Sequence, residues 1–146
     1  MTATKTKSPI PPAEVEVLVP FHDVDAMHIV WHGNYLKYFE VARTALMESI
    51  NYSYHEMAES GYAWPIIDTH SRYGGSATAG DRLLVTATLR EWEQRLRISY
   101  RIVNAVTGNR ITRGSSTQVA VAMPTNEMCY HSPDILFEKL GITREV

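Results

Sequence analysis

The sequence predicts an α+β domain: an antiparallel sheet of about five strands curled around one long helix. Three observations predict it. A short alternating segment opens the patterned part of the chain. A single long amphipathic helix follows it. Every later strong pattern then alternates with a period of two, with no return to the strand–helix–strand alternation of a parallel sheet.

The elements justify themselves in order. Residues 1–12 are polar and end in Pro9, Pro11 and Pro12, a composition expected of a flexible tail, so the single domain is placed at residues 13–146. Val15, Val17 and Val19 alternate with Glu14 and Glu16, which predicts a strand; Phe21 would continue its face past Pro20. A polar loop runs from Phe21 to His32. From Asn34 to Ile50, Tyr35, Phe39, Ala42, Leu46 and Ile50 fall on one helical stripe, widened by Leu36, Ala45 and Met47. Lys37, Glu40, Thr44 and Glu48 form the opposite face. A short helix is expected from Tyr54 to Glu59, ended by Gly61.

Four strand-like segments follow: Trp64 to Tyr73, weakened by Pro65; Arg82 to Trp92; Leu96 to Asn104; and, after the turn Thr107-Gly108-Asn109, Arg110 to Met123. Leu83, Val85, Ala87 and Leu89 share one face of the second, and Leu96, Ile98, Tyr100 and Ile102 one face of the third. A terminal helix is expected from Ser132 to Leu140, with Gly141 after its end. The edges left open by such a sheet favour dimerisation.

Composition narrows the function. Apolar residues at 45% and charged residues at 21% are an ordinary globular balance. A net charge of −2 without a basic run argues against a nucleic-acid partner. No apolar stretch is long enough for a membrane span, and the N-terminus lacks the apolar segment of a secretory signal. Cys129 is the only cysteine, so no intrachain disulfide forms, which fits a cytoplasmic protein.

The loop before the long helix concentrates the chemistry-bearing side chains. His22, Asp23, Asp25, His28 and His32 lie within it. A helix N-terminus offers unpaired N–H groups and a positive dipole end, suited to a developing oxyanion. A carboxylate beside it serves as nucleophile or general base. On residue types alone, Asp in such a loop is equally a turn former or cap. A metal site is not expected, because no cysteine joins the cluster and its spacing matches no zinc pattern. There is no G-x-S-x-G elbow, and Tyr73-Gly74-Gly75-Ser76 lacks the lysine of a phosphate loop.

The run from Asp23 to Leu36, Asp-Val-Asp-Ala-Met-His-Ile-Val-Trp-His-Gly-Asn-Tyr-Leu, resembles the signature of the 4-hydroxybenzoyl-CoA thioesterase family and of the related acyl-CoA thioesterases associated with the Tol-Pal system. Glu40 and Arg43 fill that family's acidic and arginine places on the helix. Gly80-Asp81 and Glu91-Trp92 match a turn and a hairpin start further on. The resemblance implies a hotdog fold, assembly as a homodimer or homotetramer, and hydrolysis of an acyl or aryl thioester. It makes Asp25 catalytic, with His32 assisting, the backbone N–H groups at His32 and Gly33 polarising the thioester carbonyl, and Asp23 structural.

No separate cofactor is implied; CoA or phosphopantetheine, possibly on an acyl carrier protein, arrives as part of the substrate. His28, Trp31, Tyr35 and Trp64 are expected to line the acyl pocket. His28 stands where relatives have Gly. The hairpin Glu93-Gln94-Arg95 lacks a relative's basic cluster, which leaves Arg95 and Arg97 as the expected carrier-phosphate contacts, with Arg110 and Arg113 as substitutes. Two other readings remain open. One is a hotdog dehydratase of 3-hydroxyacyl thioesters, whose His-Phe-Pro-Gly-like stretch is absent. The other is a module that binds acyl thioesters without turning them over.

Overall fold

A computed structural model describes residues 7–144. Residues 1–6 of the expected tail and the last two residues of the expected domain lie outside the described residues. Within the rest of that tail, Ile10 packs partly against the core, and the Ser8 hydroxyl donates to the Ile10 carbonyl at 3.0 Å.

The main sheet has five antiparallel strands: β1 (Ala13–Leu18), β3 (Ile66–Tyr73), β4 (Arg82–Glu91), β5 (Leu96–Asn104) and β6 (Arg110–Gln118). They lie in the order β1-β4-β5-β6-β3. Helix α1 (Asn34–Ser49) packs on one face. Helix α2 (Tyr54–Glu59), helix α3 (Asp134–Leu140) and a small sheet of β2 (Tyr62–Ala63), β7 (Val121–Ala122) and β8 (Glu127–Met128) complete the domain. This is the hotdog arrangement that the resemblance implies.

Period-two patterning decides which strand faces are covered. Leu83, Val85, Ala87 and Leu89 of β4 and Leu96, Ile98, Tyr100 and Ile102 of β5 are buried, as expected from their alternation. Tyr35, Phe39, Ala42, Leu46 and Ile50 close the core from the helix side. Phe39 stacks on Tyr100, with ring centroids 4.5 Å apart and planes 10° apart. The helix comes this close because β6 carries Gly114 there: a Cβ at that position would stand 2.7 Å from the Phe39 ring and 2.4 Å from the His70 carbonyl.

The differences from expectation have local causes. Phe21 does not continue the β1 face; the chain turns into a 3-10 turn (Phe21–Asp23) after Pro20, and Phe21 is 80% exposed. Leu36 is largely exposed, whereas Tyr38 and Arg43 are buried, so the covered stripe is rotated toward the Tyr38 side. The expected strand from Trp64 to Tyr73 starts only after Pro65, as β3 at Ile66, and the short β2 precedes it outside the expected bounds. The expected strand to Met123 ends at Gln118, where the chain leaves the main sheet and β7 pairs with β2 instead. Helix α3 begins at Asp134 after Pro133, and Gly141 ends it in the left-handed conformation (φ 71°).

Candidate active site

The loop between β1 and α1 is built by backbone bonds. Val19 anchors its start through an N–H bond to the Asp81 carbonyl (2.9 Å). Asp23 closes the 3-10 turn by donating to the Pro20 carbonyl (3.1 Å). A tight hairpin follows, in which Val24 bridges to Val30 and the Asp25 N–H donates to the Ile29 carbonyl at 2.8 Å. His28 sits at the tip with φ 65°, a conformation more common for Gly or Asn. Its carbonyl accepts a bond from the Thr78 hydroxyl at 2.8 Å, and Val30 donates to the Ala77 carbonyl at 2.8 Å.

Asp23 ties this hairpin to the helix. Its carboxylate is 3% exposed and accepts from Lys37 Nζ and the Tyr38 hydroxyl, both at 2.7 Å. Its carbonyl accepts the Trp31 N–H (3.0 Å) and the Asn34 side-chain amide (2.9 Å). Burial alone would raise its pKa, but the bonds from Lys37 and Tyr38 outweigh it and hold the carboxyl below the usual value. The Tyr38 phenol is pushed up, by burial first and then by its bond to the Asp23 anion.

Asp25 occupies a different environment. It is half-buried, and Oδ1 accepts the Met27 N–H at 2.8 Å, an Asx turn within its own hairpin. Among the described residues no donor meets Oδ2.

At the helix start, Asn34 donates to the Trp31 carbonyl (2.8 Å) and Tyr35 to the His32 carbonyl (3.3 Å). The His32 and Gly33 N–H groups have no acceptor among the described residues. Gly33 is helical (φ −64°, ψ −23°) and lies under the Trp31 ring; a Cβ there would stand 2.2 Å from it. These donors lie at the positive end of α1, where a developing negative charge is stabilised.

Rings form a wall beside them. The centroid of Trp31 lies 5.2 Å from His32, His32 lies 5.7 Å from Tyr73, and Tyr73 lies 5.9 Å from Tyr35. The Tyr35 hydroxyl and the Thr112 hydroxyl are buried there without a hydrogen-bond partner among the described residues. Thr112 is the cross-strand partner of Tyr73.

The loop therefore gathers Asp25, His28, Trp31, His32, Gly33 and Tyr35, but not every expected residue joins them. Trp64 is buried at the other end of α1, where its indole N–H donates to the Tyr52 hydroxyl at 3.0 Å. β3 separates it from Tyr73 by roughly 23 Å of extended chain, so within one chain it does not line this site. His28 and Trp31 are exposed and Tyr35 is buried. Arg95 is held by Glu91 through two bonds of 3.1 and 3.2 Å, and Arg97 lies 3.9 Å from the same carboxylate.

The sequence places Tyr38 among the aromatics near the loop but gives no sign that its hydroxyl is the hydrogen-bond partner of Asp23. Tyr73, Ala77 and Thr78 reach the loop only through the sheet and carry no such signal. Two cavities lie elsewhere, one between α1 and α2 beside Arg43 and Gln118, the other beside Phe137 and Arg144. Among the described residues no three His, Cys, Asp or Glu side chains are grouped as a metal ion requires. No helix among them is long and apolar enough to cross a membrane.

Comparison with known proteins agrees with this fold. The family model of the thioesterase-like superfamily matches residues 19–136, which include the whole loop and α1. A Synechocystis protein named "Putative esterase sll0410" is 27% identical over 128 residues, covering 87% of this chain and 77% of the relative. The structure of Slr0204, a 1,4-dihydroxy-2-naphthoyl-CoA thioesterase from Synechocystis, superposes with a TM-score of 0.80 at 22% identity, covering 90% of this chain and 96% of that one. That of a DHNA-CoA thioesterase from Staphylococcus aureus gives 0.75 at 25% identity, covering 82% and 80%. By the reach of the family match and by its hotdog fold, the chain belongs to the thioesterase-like superfamily.

Proposed function

We propose that the protein hydrolyses an acyl or aryl thioester carried on CoA or phosphopantetheine, with Asp25 as nucleophile or general base. The observation that carries this reading is the pairing of a half-buried carboxylate, one oxygen of which has no donor, with the unpartnered His32 and Gly33 N–H groups at the start of α1. The N–H groups receive the oxyanion that forms when the thioester carbonyl is attacked. With Asp25 as base, its carboxylate takes a proton from water and the hydroxide adds to the carbonyl carbon. The C–S bond then breaks, and the departing thiolate takes up a proton, for which His32 stands at the exposed rim. With Asp25 as nucleophile, the same bond breaks first and water cleaves the resulting mixed anhydride.

The ring wall of Trp31, Tyr73 and Tyr35 favours an aromatic acyl group, as does the likeness to the DHNA-CoA thioesterases. The edge strand β3 is exposed along nearly its whole length, including Ile66 and Ile67, which supports a homo-oligomer paired through that edge. A single cysteine supports a cytoplasmic location.

The test is thiol release from a panel of acyl and aryl thioesters on CoA and on carrier protein. Asp25→Asn and Asp25→Ala should each lower the rate by at least about a hundredfold, with circular dichroism unchanged. Activity that survives both substitutions sinks the assignment. The Asx turn favours one second reading, in which Asp25 only shapes the hairpin and the protein binds thioesters without turnover. Tight binding of an acyl-CoA with no thiol release would establish that reading.

A further inference from the structure

The strand register places three arginines in one row on the sheet face opposite α1. Arg72 of β3 is the direct partner of Arg113 of β6, and Arg113 is the direct partner of Arg101 of β5. All three are exposed, and none has a hydrogen-bond or ion-pair partner among the described residues. Like charges directly opposite one another destabilise a sheet, and here two such pairs share one residue. The acidic groups of this face stand away from the row. Glu14 is reached only beyond Thr86, Asp68 lies four residues along β3 from Arg72, and Glu91 is engaged by Arg95 and Arg97. The next row holds His70, Ser115 and Ser99, which add a titratable ring and two hydroxyls, and Arg90 already donates to Ser99 at 2.8 Å.

We propose that this row binds the phosphate groups of the thiol carrier, which makes a CoA thioester the substrate; the inference rests on the thioesterase reading above. Guanidinium groups present planar donor pairs that match phosphate oxygens, and three of them span about 10 Å across three adjacent strands. That span accepts a ligand with several separated phosphate groups better than a single phosphate. CoA carries a diphosphate and a ribose phosphate at one end, whereas a carrier-protein arm has one phosphodiester. The row also adjoins the candidate site. Arg72 precedes Tyr73, whose ring meets His32 and Tyr35 on the helix side of the same edge strand. Beyond Tyr73 the chain continues into Gly74, where a side chain would point into open space, so an extended arm can cross the strand end there. The hairpin arginines expected to serve the carrier already share Glu91, whereas the three arginines of this row have no acidic partner among the described residues.

The experiment compares one acyl group on CoA and on N-acetylcysteamine, which lacks the nucleotide, for the wild type and for Arg72→Gln, Arg101→Gln and Arg113→Gln. Each substitution should raise KM for the CoA thioester roughly tenfold, leave kcat unchanged and leave the N-acetylcysteamine thioester unaffected. Adenosine 3′,5′-bisphosphate should inhibit the wild type competitively and the variants weakly. Equal effects on both thioesters, or none on either, overturn the proposal. A rise in KM confined to carrier-protein thioesters overturns it in favour of protein docking. A change in oligomeric mass without a selective change in KM overturns it in favour of an interface between copies. If the wild type hydrolyses neither thioester, the thioesterase reading is what fails. Calorimetric titration of the bisphosphate then decides the row by itself, with binding lost in Arg113→Gln supporting it and equal or absent binding overturning it.

Discussion

The Tyr38 hydroxyl donates a 2.7 Å hydrogen bond to the buried Asp23 carboxylate, and this bond fastens the catalytic-loop candidate to the second turn of α1. Through its backbone carbonyl the same Asp23 holds Trp31 and Asn34, on either side of the two free N–H groups. Asp23 is thus a positioning residue: it sets where the donors of His32 and Gly33 stand relative to Asp25.

Breaking that bond should cost stability. Tyr38→Phe leaves the carboxylate with Lys37 as its side-chain hydrogen-bond donor and His22 3.8 Å away, and should destabilise the fold by about 1–3 kcal/mol. Asp23→Ala strands the Tyr38 hydroxyl and should cost a similar amount, because the Lys37 side of the pair is half exposed and already hydrated. The double variant should lose less than the sum. Urea denaturation midpoints check this, and a change in Tyr38→Phe below about 0.5 kcal/mol would refute the role.

The pH dependence follows with a definite sign. The Asp23 carboxyl has a lower pKa folded than unfolded, so its contribution is present above the unfolded value near 3.8 and is lost as pH falls toward and through the folded value. Tyr38 behaves oppositely. Its raised phenol contributes below the unfolded value near 10.0 and loses that contribution as pH rises through the folded one. Asp23→Asn should therefore flatten the acid limb of a stability–pH curve below about pH 4. An unchanged acid limb would show that Asp23 is not its source.

Gly33→Ala isolates the donors from the fold. Gly33 has ordinary helical angles, so alanine brings no backbone strain, but its Cβ would meet the Trp31 ring at 2.2 Å and must displace it. The protein should stay folded while Trp31 fluorescence shifts and kcat/KM falls about tenfold or more. Adding Trp31→Ala should relieve the clash and recover part of the rate. Failure of that recovery would show that the ring is not what the methyl disturbs.

Gly114→Ala should act on packing alone. The added methyl meets Phe39 at 2.7 Å and the His70 carbonyl at 2.4 Å, and the carbonyl belongs to a paired strand that cannot retreat cheaply. A loss of about 1–3 kcal/mol is expected, from overpacking and separation of the Phe39–Tyr100 stack. Near-ultraviolet circular dichroism and thermal unfolding measure it.

Much of this architecture was legible in residue order. The alternation of β4 and β5, the helix stripe from Tyr35 to Ile50 and the turn at Gly108 are local patterns with periods of two or near 3.6, and local geometry enforces them. The loop and the N–H groups of His32 and Gly33 at the helix start were legible too, because they are adjacent in the chain, whereas the choice of Asp25 over Asp23 came from the family resemblance. What residue order left undecided depends on contacts between distant segments. Asp23 and Asp25 are chemically alike, and only the approach of Lys37 and Tyr38 buries and pairs one while the other keeps an oxygen free. Trp64 lies between β2 and β3 and packs at the far end of the helix, where Tyr52 accepts its indole N–H. Arg72, Arg101 and Arg113 are scattered along the sequence, and only strand register, set by which apolar faces must be covered, brings their charges into one row.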